Sequence, residues 1–197
     1  PVDHVGPFNG ARDAEAAERS RSQLVVEFLV ATFRRPDPGQ RGAEVRIVDL
    51  LDEASKKLAE FRGDPNTKAA LEDALIQTWR ALGEFDRALA MAETAARERE
   101  KQFGPNHRAT LRAVDEQGSA LLELGRNAEA LPLFERCWNA LRGEAETDAD
   151  ALTFGDNLAE AYQSLGRHEQ AIQLFQEILR RRNLSSEPPG AADQNLS

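Results

Sequence analysis

"SLGRHEQAIQLF", residues 164–175, places Gly166 inside otherwise helix-forming sequence and sets His168 beside Glu169. Two readings compete: an acid/base pair, or a structural joint. Recurrence decides between them. Leu-Gly occurs at Leu82-Gly83, Leu124-Gly125 and Leu165-Gly166, at intervals of 42 and 41 residues. Five residues after each Gly stands Ala88, Ala130 or Ala171, followed by Leu89, Leu131 or Ile172. Four residues before each Gly stands Trp79, Leu121 or Tyr162, and nine after the last two stands Phe134 or Phe175. In-phase copies at a fixed period are the signature of a repeat architecture.

Each copy reads as two helices around a tight turn. Leu71, Leu75, Trp79 and Leu82 recur at helical spacing before the first Gly, and Ala88, Met91, Ala92 and Ala95 continue after it. Gly83, Gly125 and Gly166 suit a helix end that needs φ > 0. Ala88, Ala130 and Ala171 suit the closest approach of two paired helices, where a bulkier side chain would cost about 1–3 kcal/mol in strain. One such hairpin cannot bury its apolar stripe alone, whereas stacked neighbours can. Gly63-Asp64-Pro65-Asn66, Phe103-Gly104-Pro105-Asn106, and Gly143 with Thr147-Asp148 mark the breaks. Asn66 or Thr67 is the expected N-cap of the first repeat. The repeats then cover about residues 66–104, 105–146 and 147–182 within 63–182.

Bulk properties exclude other classes. The net charge of −9 has the wrong sign for a phosphate backbone, so no nucleic-acid partner is expected. The longest apolar run, Leu24 to Phe33, is interrupted by Glu27 and is too short to span a membrane. A single Cys, Cys137, allows neither an internal disulfide nor a cysteine-based zinc site. A chain that opens on Pro rather than Met is expected to be a piece of a longer one.

The Leu-Gly turn, the following Ala and the large residue before the turn resemble the tetratricopeptide repeat family over about residues 66–182. The usual period is about 34 residues. The longer spacing here, with "FGPNHRATL" at 103–111, resembles the kinesin-light-chain-like subclass. The resemblance implies an all-α, right-handed helical solenoid of antiparallel helix pairs. Gln117, where Leu75 and Leu158 stand in the other copies, and Ile76, where Gly118 and Ala159 stand, depart from the pattern. Ile76 implies different packing of the first repeat on its upstream neighbour.

Upstream, residues 12–34 read as a helix ended by Arg35-Pro36-Asp37-Pro38. Residues 47–61 read as another, with Ile47, Leu51, Ala54 and Leu58 on one stripe, acting as a capping half-repeat within 12–62. "VVEFLVATFRRPDPGQRGAEVRIVDLLDEASKKL", residues 25–58, resembles the segment before repeat arrays in bacterial serine/threonine kinases of planctomycete type. That resemblance implies the interaction or sensor part of such a kinase, although this chain has no kinase motif. Residues 1–11 and 183–197, the latter poor in apolar side chains, are expected to be a disordered start and a disordered tail or linker.

Catalytic chemistry finds no support. His168 follows a turn Gly, where Phe85 and Asn127 stand in the other copies, and reads as a helix-start residue. His107 reads as a loop residue, His4 falls in the start expected to be disordered, and no pair of histidines has metal-ligand spacing. Cys137 matches Ala95 and Ile178 and reads as a small core side chain; Trp79 and Trp138 read as core. No catalytic residue, cofactor site or metal site is expected.

One register resists a purely structural reading. Asp73, Asp115 and Asp156 stand ten residues before each turn Gly, off the core stripe. Ala70, Gln77 and Arg80 share their helical face in the first copy; Arg112, Ser119 and Leu122 in the second; Thr153, Glu160 and Gln163 in the third. In the resembled family first helices line a concave groove that binds peptides, and in the resembled subclass paired Asn at these positions grip a peptide backbone. Asp156-Asn157 keeps half of such a pair. Stabilisation of each Asp by its helix dipole is an equal alternative. The expected partner is a protein or peptide offering N–H groups or positive charge. Ile172, Phe175, Ile178 and Leu179 give the last helix an apolar surface with no capping helix after it, so further repeats or self-association at this end are expected.

Overall fold

A computed structural model describes residues 47–143 and 148–186. They form seven α-helices with no strand among them: α1 (Ile47–Ala59), α2 (Pro65–Ala81), α3 (Phe85–Phe103), α4 (Arg108–Glu123), α5 (Asn127–Leu141), α6 (Ala149–Ser164) and α7 (His168–Ser186). The expected helix over 12–34, the start over 1–11 and the tail beyond Ser186 lie outside the described residues. The chain divides into two compact units, 1–72 and 73–197.

In the first unit Leu51, Ala54 and Leu58 are buried, as their spacing requires, while Ile47 is exposed. Ile47 is the first residue of α1. The start of α2 differs from the expected Asn66 or Thr67 cap. Asp64 performs that role, its carboxylate accepting from the Thr67 N–H at 2.8 Å and the Thr67 hydroxyl at 3.0 Å. Pro65 explains the shift: it has no N–H to satisfy, and its fixed φ suits the first helical position.

In the second unit the three turns share one geometry. Gly83, Gly125 and Gly166 have φ of 77°, 73° and 72°. The N–H after each Gly donates to the carbonyl of Trp79, Leu121 or Tyr162, at 2.9, 2.8 and 2.8 Å. The N–H of each Gly donates to Arg80, Leu122 or Gln163 at 2.9, 2.8 and 3.0 Å. This two-bond closure satisfies carbonyls that a helix end would leave unpaired, and it requires a left-handed residue. The large residue four positions before Gly therefore has two roles, since its carbonyl closes the turn while its side chain packs.

The helix pairs stack through small side chains. Ala88, Ala130 and Ala171 are buried, as are Trp79, Leu121, Phe134, Phe154 and Ile178. First helices (α2, α4, α6) alternate with second helices (α3, α5, α7). Each second helix packs on the next first helix, α3 on α4 and α5 on α6, and the first helices α4 and α6 also touch. Gly118 and Gly155 mark close approaches: an added Cβ would come within 2.8 Å of the Phe134 ring at Gly118 and of the Trp138 ring at Gly155.

Several positions differ from expectation. Leu82 is exposed because α2 ends at Ala81, which leaves Leu82 in the turn. Ile178 is buried and belongs to the core, whereas Ile172, Phe175 and Leu179 are exposed. The last helix continues through Asn183 to Ser186, beyond the expected end of the array. His107 caps α4: its Nδ1 accepts from the Ala109 N–H at 3.2 Å, and its ring stacks on Phe103.

Gly125 has nothing within 4 Å of an added Cβ, so its conformation alone demands glycine. Gly125→Ala is therefore expected to cost about 1–2 kcal/mol. Thermal unfolding followed by circular dichroism should show the melting temperature lowered by about 2–8 °C.

Candidate partner-binding face

The first helices are joined by side-chain pairs across each seam. Between α2 and α4, Gln77 Nε2 donates to Glu116 Oε1 at 2.9 Å and Arg80 Nη1 to Glu116 Oε2 at 3.0 Å. Between α4 and α6, Arg112 grips Asp150 with two bonds of 2.9 Å, and Arg108 reaches Asp148 at 2.6 Å and Asp150 at 3.2 Å. Such forked pairs fix orientation as well as charge. The Arg108 guanidinium holds the Asp148 carboxyl below its ordinary range. Asp148 also caps α6, accepting from the Ala151 N–H at 2.9 Å.

The three aspartates that share a register have three different environments. Asp73 accepts from buried Arg99 at 2.7 Å, and the same guanidinium nitrogen donates to the Ala109 carbonyl at 3.0 Å. Asp156 pairs with Arg182 of α7. Asp115, expected off the core, is buried at 7% exposure. Its Oδ2 accepts from Asn157 Nδ2 at 2.8 Å, and its Oδ1 has no partner. Burial pushes the Asp115 carboxyl up to about 7; the Asn157 bond opposes this, nearby Glu116 and Asp150 add to it, and Arg80 draws it down. The cause of the departure is local: Ala113, Val114, Gly118 and Ser119 around it are buried as well. α4 thus has a wider covered face than its apolar pattern implies.

A cleft of about 120 Å³ is walled by first-helix residues alone: Arg80 of α2; Ser119, Leu122 and Glu123 of α4; Asn157, Glu160 and Ser164 of α6. Arg80, Ser119, Asn157 and Glu160 had been singled out from the sequence. Gln77 and Arg112 lie on the same helices but serve the seams, and Gln163 is exposed outside the cleft wall. Glu116 and Asp150 were missed. Glu116 could have been found from its register, since it stands nine residues before Gly125 as Asn157 stands nine before Gly166. Asp150 lies in the first turn of α6, where an acidic residue already has a helix-dipole explanation.

The other chemistry-bearing side chains are placed as follows. Cys137 is fully buried; its thiol donates to the Leu111 carbonyl at 3.3 Å, and burial pushes its pKa up. A thiol so disfavoured as thiolate is a poor nucleophile. His168 is exposed at the first residue of α7. Trp79 and Trp138 are buried, with the Arg87 and Arg181 guanidinium groups 5.0 and 5.1 Å from their ring centroids. Among the described residues no group of three or more His, Cys, Asp or Glu is placed to hold a metal ion, and no helix is long and apolar enough to cross a membrane.

Antiparallel helix pairs closed by one repeated glycine turn, with first helices joined edge to edge, define a helical-repeat protein. Sequence models of the tetratricopeptide repeat match residues 68–142 and 121–187, together more than half of the chain. The chain belongs to the tetratricopeptide repeat family. Among solved structures it is similar to the nearly identical TPR-like repeats of a putative kinesin light chain from Podosopora anserina, at 16% identity over 93% of this chain and 100% of that one, with a TM-score of 0.57. It is similar to BtubC (BKLC) from P. vanneervenii at 19% identity, covering 93% of this chain and 71% of that one, with a TM-score of 0.63. No curated protein matches the sequence. Repeats of this family generally mediate protein–protein interaction, and their fold is that of a scaffold rather than a catalyst.

The buried Asp115 gives stability a definite pH dependence. Its folded pKa, about 7, lies above the ordinary carboxylate value of 3.8, so the folded state holds the proton more tightly. Stability from this group is full below about pH 4 and is lost as the pH rises towards 7. Asp115→Asn should remove that slope. In melting curves the variant is expected to gain on the wild type between about pH 4 and 7 and to hold that gain at pH 8.

Proposed function

We propose that the array binds a peptide segment of a protein partner along the face of its first helices, with the cleft between Arg80 and Glu160 as the anchoring point. The observation that carries this reading is the cleft's composition: seven residues, all from first helices, of which only Leu122 is apolar. Asn157 binds Asp115 through its amide nitrogen, which leaves its Oδ1 as an acceptor for a peptide N–H. Glu123 and Glu160 supply negative charge for a basic side chain. Asp115 lies too deep to touch a partner; it positions Asn157. Asp73 and Asp156 hold arginines of the chain's second helices and shape the edges of the face.

A random peptide library selected on the array tests the reading. The enriched peptides are expected to share a Lys or Arg. Calorimetry should show their affinity falling about tenfold or more in Glu160→Lys, with an unchanged melting temperature, a loss of the size expected for one charged contact. Peptides bound equally well by the variant would overturn the assignment.

A second contact surface lies on α7, whose exposed apolar residues support self-association. The resemblance of residues 25–58 to the segment preceding arrays in bacterial serine/threonine kinases supports a further reading, in which this array is the regulatory or sensor part of such a kinase. A kinase domain encoded upstream in the same gene would support it; its absence would remove it.

A further inference from the structure

Asp115 is a buried carboxylate, and the arginines of the helices around it are held by other acids. From α2, Arg80 donates to Glu116 at 3.0 Å and lies 3.9 Å from Glu123. From α3, Arg99 donates to Asp73. On α4 itself, Arg108 and Arg112 are held by Asp148 and Asp150. From α5, Arg136 donates to Glu100, and burial keeps the Cys137 thiol protonated. Burial and the charges of Glu116 and of Asp150 on α6 oppose ionisation of Asp115; the Asn157 bond and the charge of Arg80 favour it. The balance leaves this carboxyl exchanging its proton near neutral pH.

Asn157 stands between this carboxyl and the cleft, bonding Asp115 and lining the cleft wall. Its amide has an acceptor end and a donor end. With Asp115 ionised, Asn157 Nδ2 donates to Asp115 Oδ2 at 2.8 Å, and the acceptor end is left for the cleft. A proton on Asp115 reverses that preference. Asp115 Oδ1 is buried without a partner, so a proton there would be a buried donor with no acceptor. A proton on Oδ2 finds an acceptor once Asn157 turns its amide over. The orphan then left, a carbonyl oxygen, is better tolerated than an unpaired buried donor. The turned amide presents Nδ2 to the cleft.

We infer that Asp115 and Asn157 form a proton-operated switch, offering the cleft an acceptor when Asp115 is ionised and a donor when it is protonated. This rests on the peptide-binding reading of the cleft and adds its regulation. A peptide N–H at Asn157 and a basic side chain beside Glu123 and Glu160 both favour the ionised state. Peptide binding to the protonated protein therefore releases the Asp115 proton to solvent. The coupling is reciprocal: raising the pH through neutrality tightens binding, and bound peptide lowers the pH at which Asp115 titrates.

Nuclear magnetic resonance on the peptide-free protein tests the switch. The Asn157 side-chain amide and the Asp115 carboxyl carbon should titrate together with one midpoint near neutral pH, and in Asp115→Asn the Asn157 signals should stay still. Asn157 signals that do not move in the wild type, or that move equally in the variant, overturn the switch. Calorimetry with a selected Lys- or Arg-containing peptide that lacks His tests the coupling. Affinity should rise about fivefold or more from pH 6 to pH 8 in the wild type and stay flat in Asp115→Asn. A wild-type affinity that is flat across this range overturns the regulation of binding. Failure of the peptide-binding reading is told apart by Glu160→Lys, which would then leave affinity unchanged while the peptide-free titration of Asn157 persists.

Discussion

The left-handed glycine at each turn is the constraint on which the rest of the second unit depends. At φ near +75° the chain reverses within two residues, and two backbone bonds seal the end of the first helix. The second helix therefore leaves in a fixed direction, and Ala88, Ala130 and Ala171, at the same offset along it, are all buried. Because the same closure occurs three times, each hairpin presents its apolar face at the same height to the next. Stacking follows from that regularity, and the seams between first helices follow from the stacking.

Large side chains fill the space this frame leaves. Phe134 lies against Gly118 of its own pair, while Trp138 lies against Gly155 of the next. One ring thus fixes the spacing within a repeat and another fixes the spacing between repeats. Both glycines sit inside helices, where their flexibility is a disadvantage, and the packing space they release outweighs it. Arg181 extends the same arrangement: its guanidinium lies over Trp138, donates to Glu177 at 2.8 Å and reaches the Arg142 carbonyl at 3.0 Å.

The fold was legible because it rests on features with a fixed offset. Gly, Ala and the large residue before the turn recur in phase, and each does in the structure what its chemistry suggests. The face was legible only in part. Period and polarity placed Arg80, Ser119, Asn157 and Glu160 correctly on one side, because helical geometry decides that alone. They could not show that Asp115 is buried, because its neighbours Gly118 and Ser119 look solvent-compatible and are covered by tertiary packing. Nor could they show which acid each arginine would choose. Arg99 takes Asp73 and Arg112 takes Asp150, at separations of 26 and 38 residues that no local pattern encodes.

The seams differ from one another in a way that the shared backbone conceals. Where α4 meets α6, Asp115 finds an amide at Asn157; at the matching seam of α2 and α4, Asp73 would find a second carboxylate, Glu116. The chain resolves that clash by turning Asp73 to Arg99 and giving Glu116 to Gln77 and Arg80. The repeats are therefore alike in outline but not exchangeable. A shuffled or duplicated array would bring together side chains that lack their partners, so these modules carry a built-in serial order.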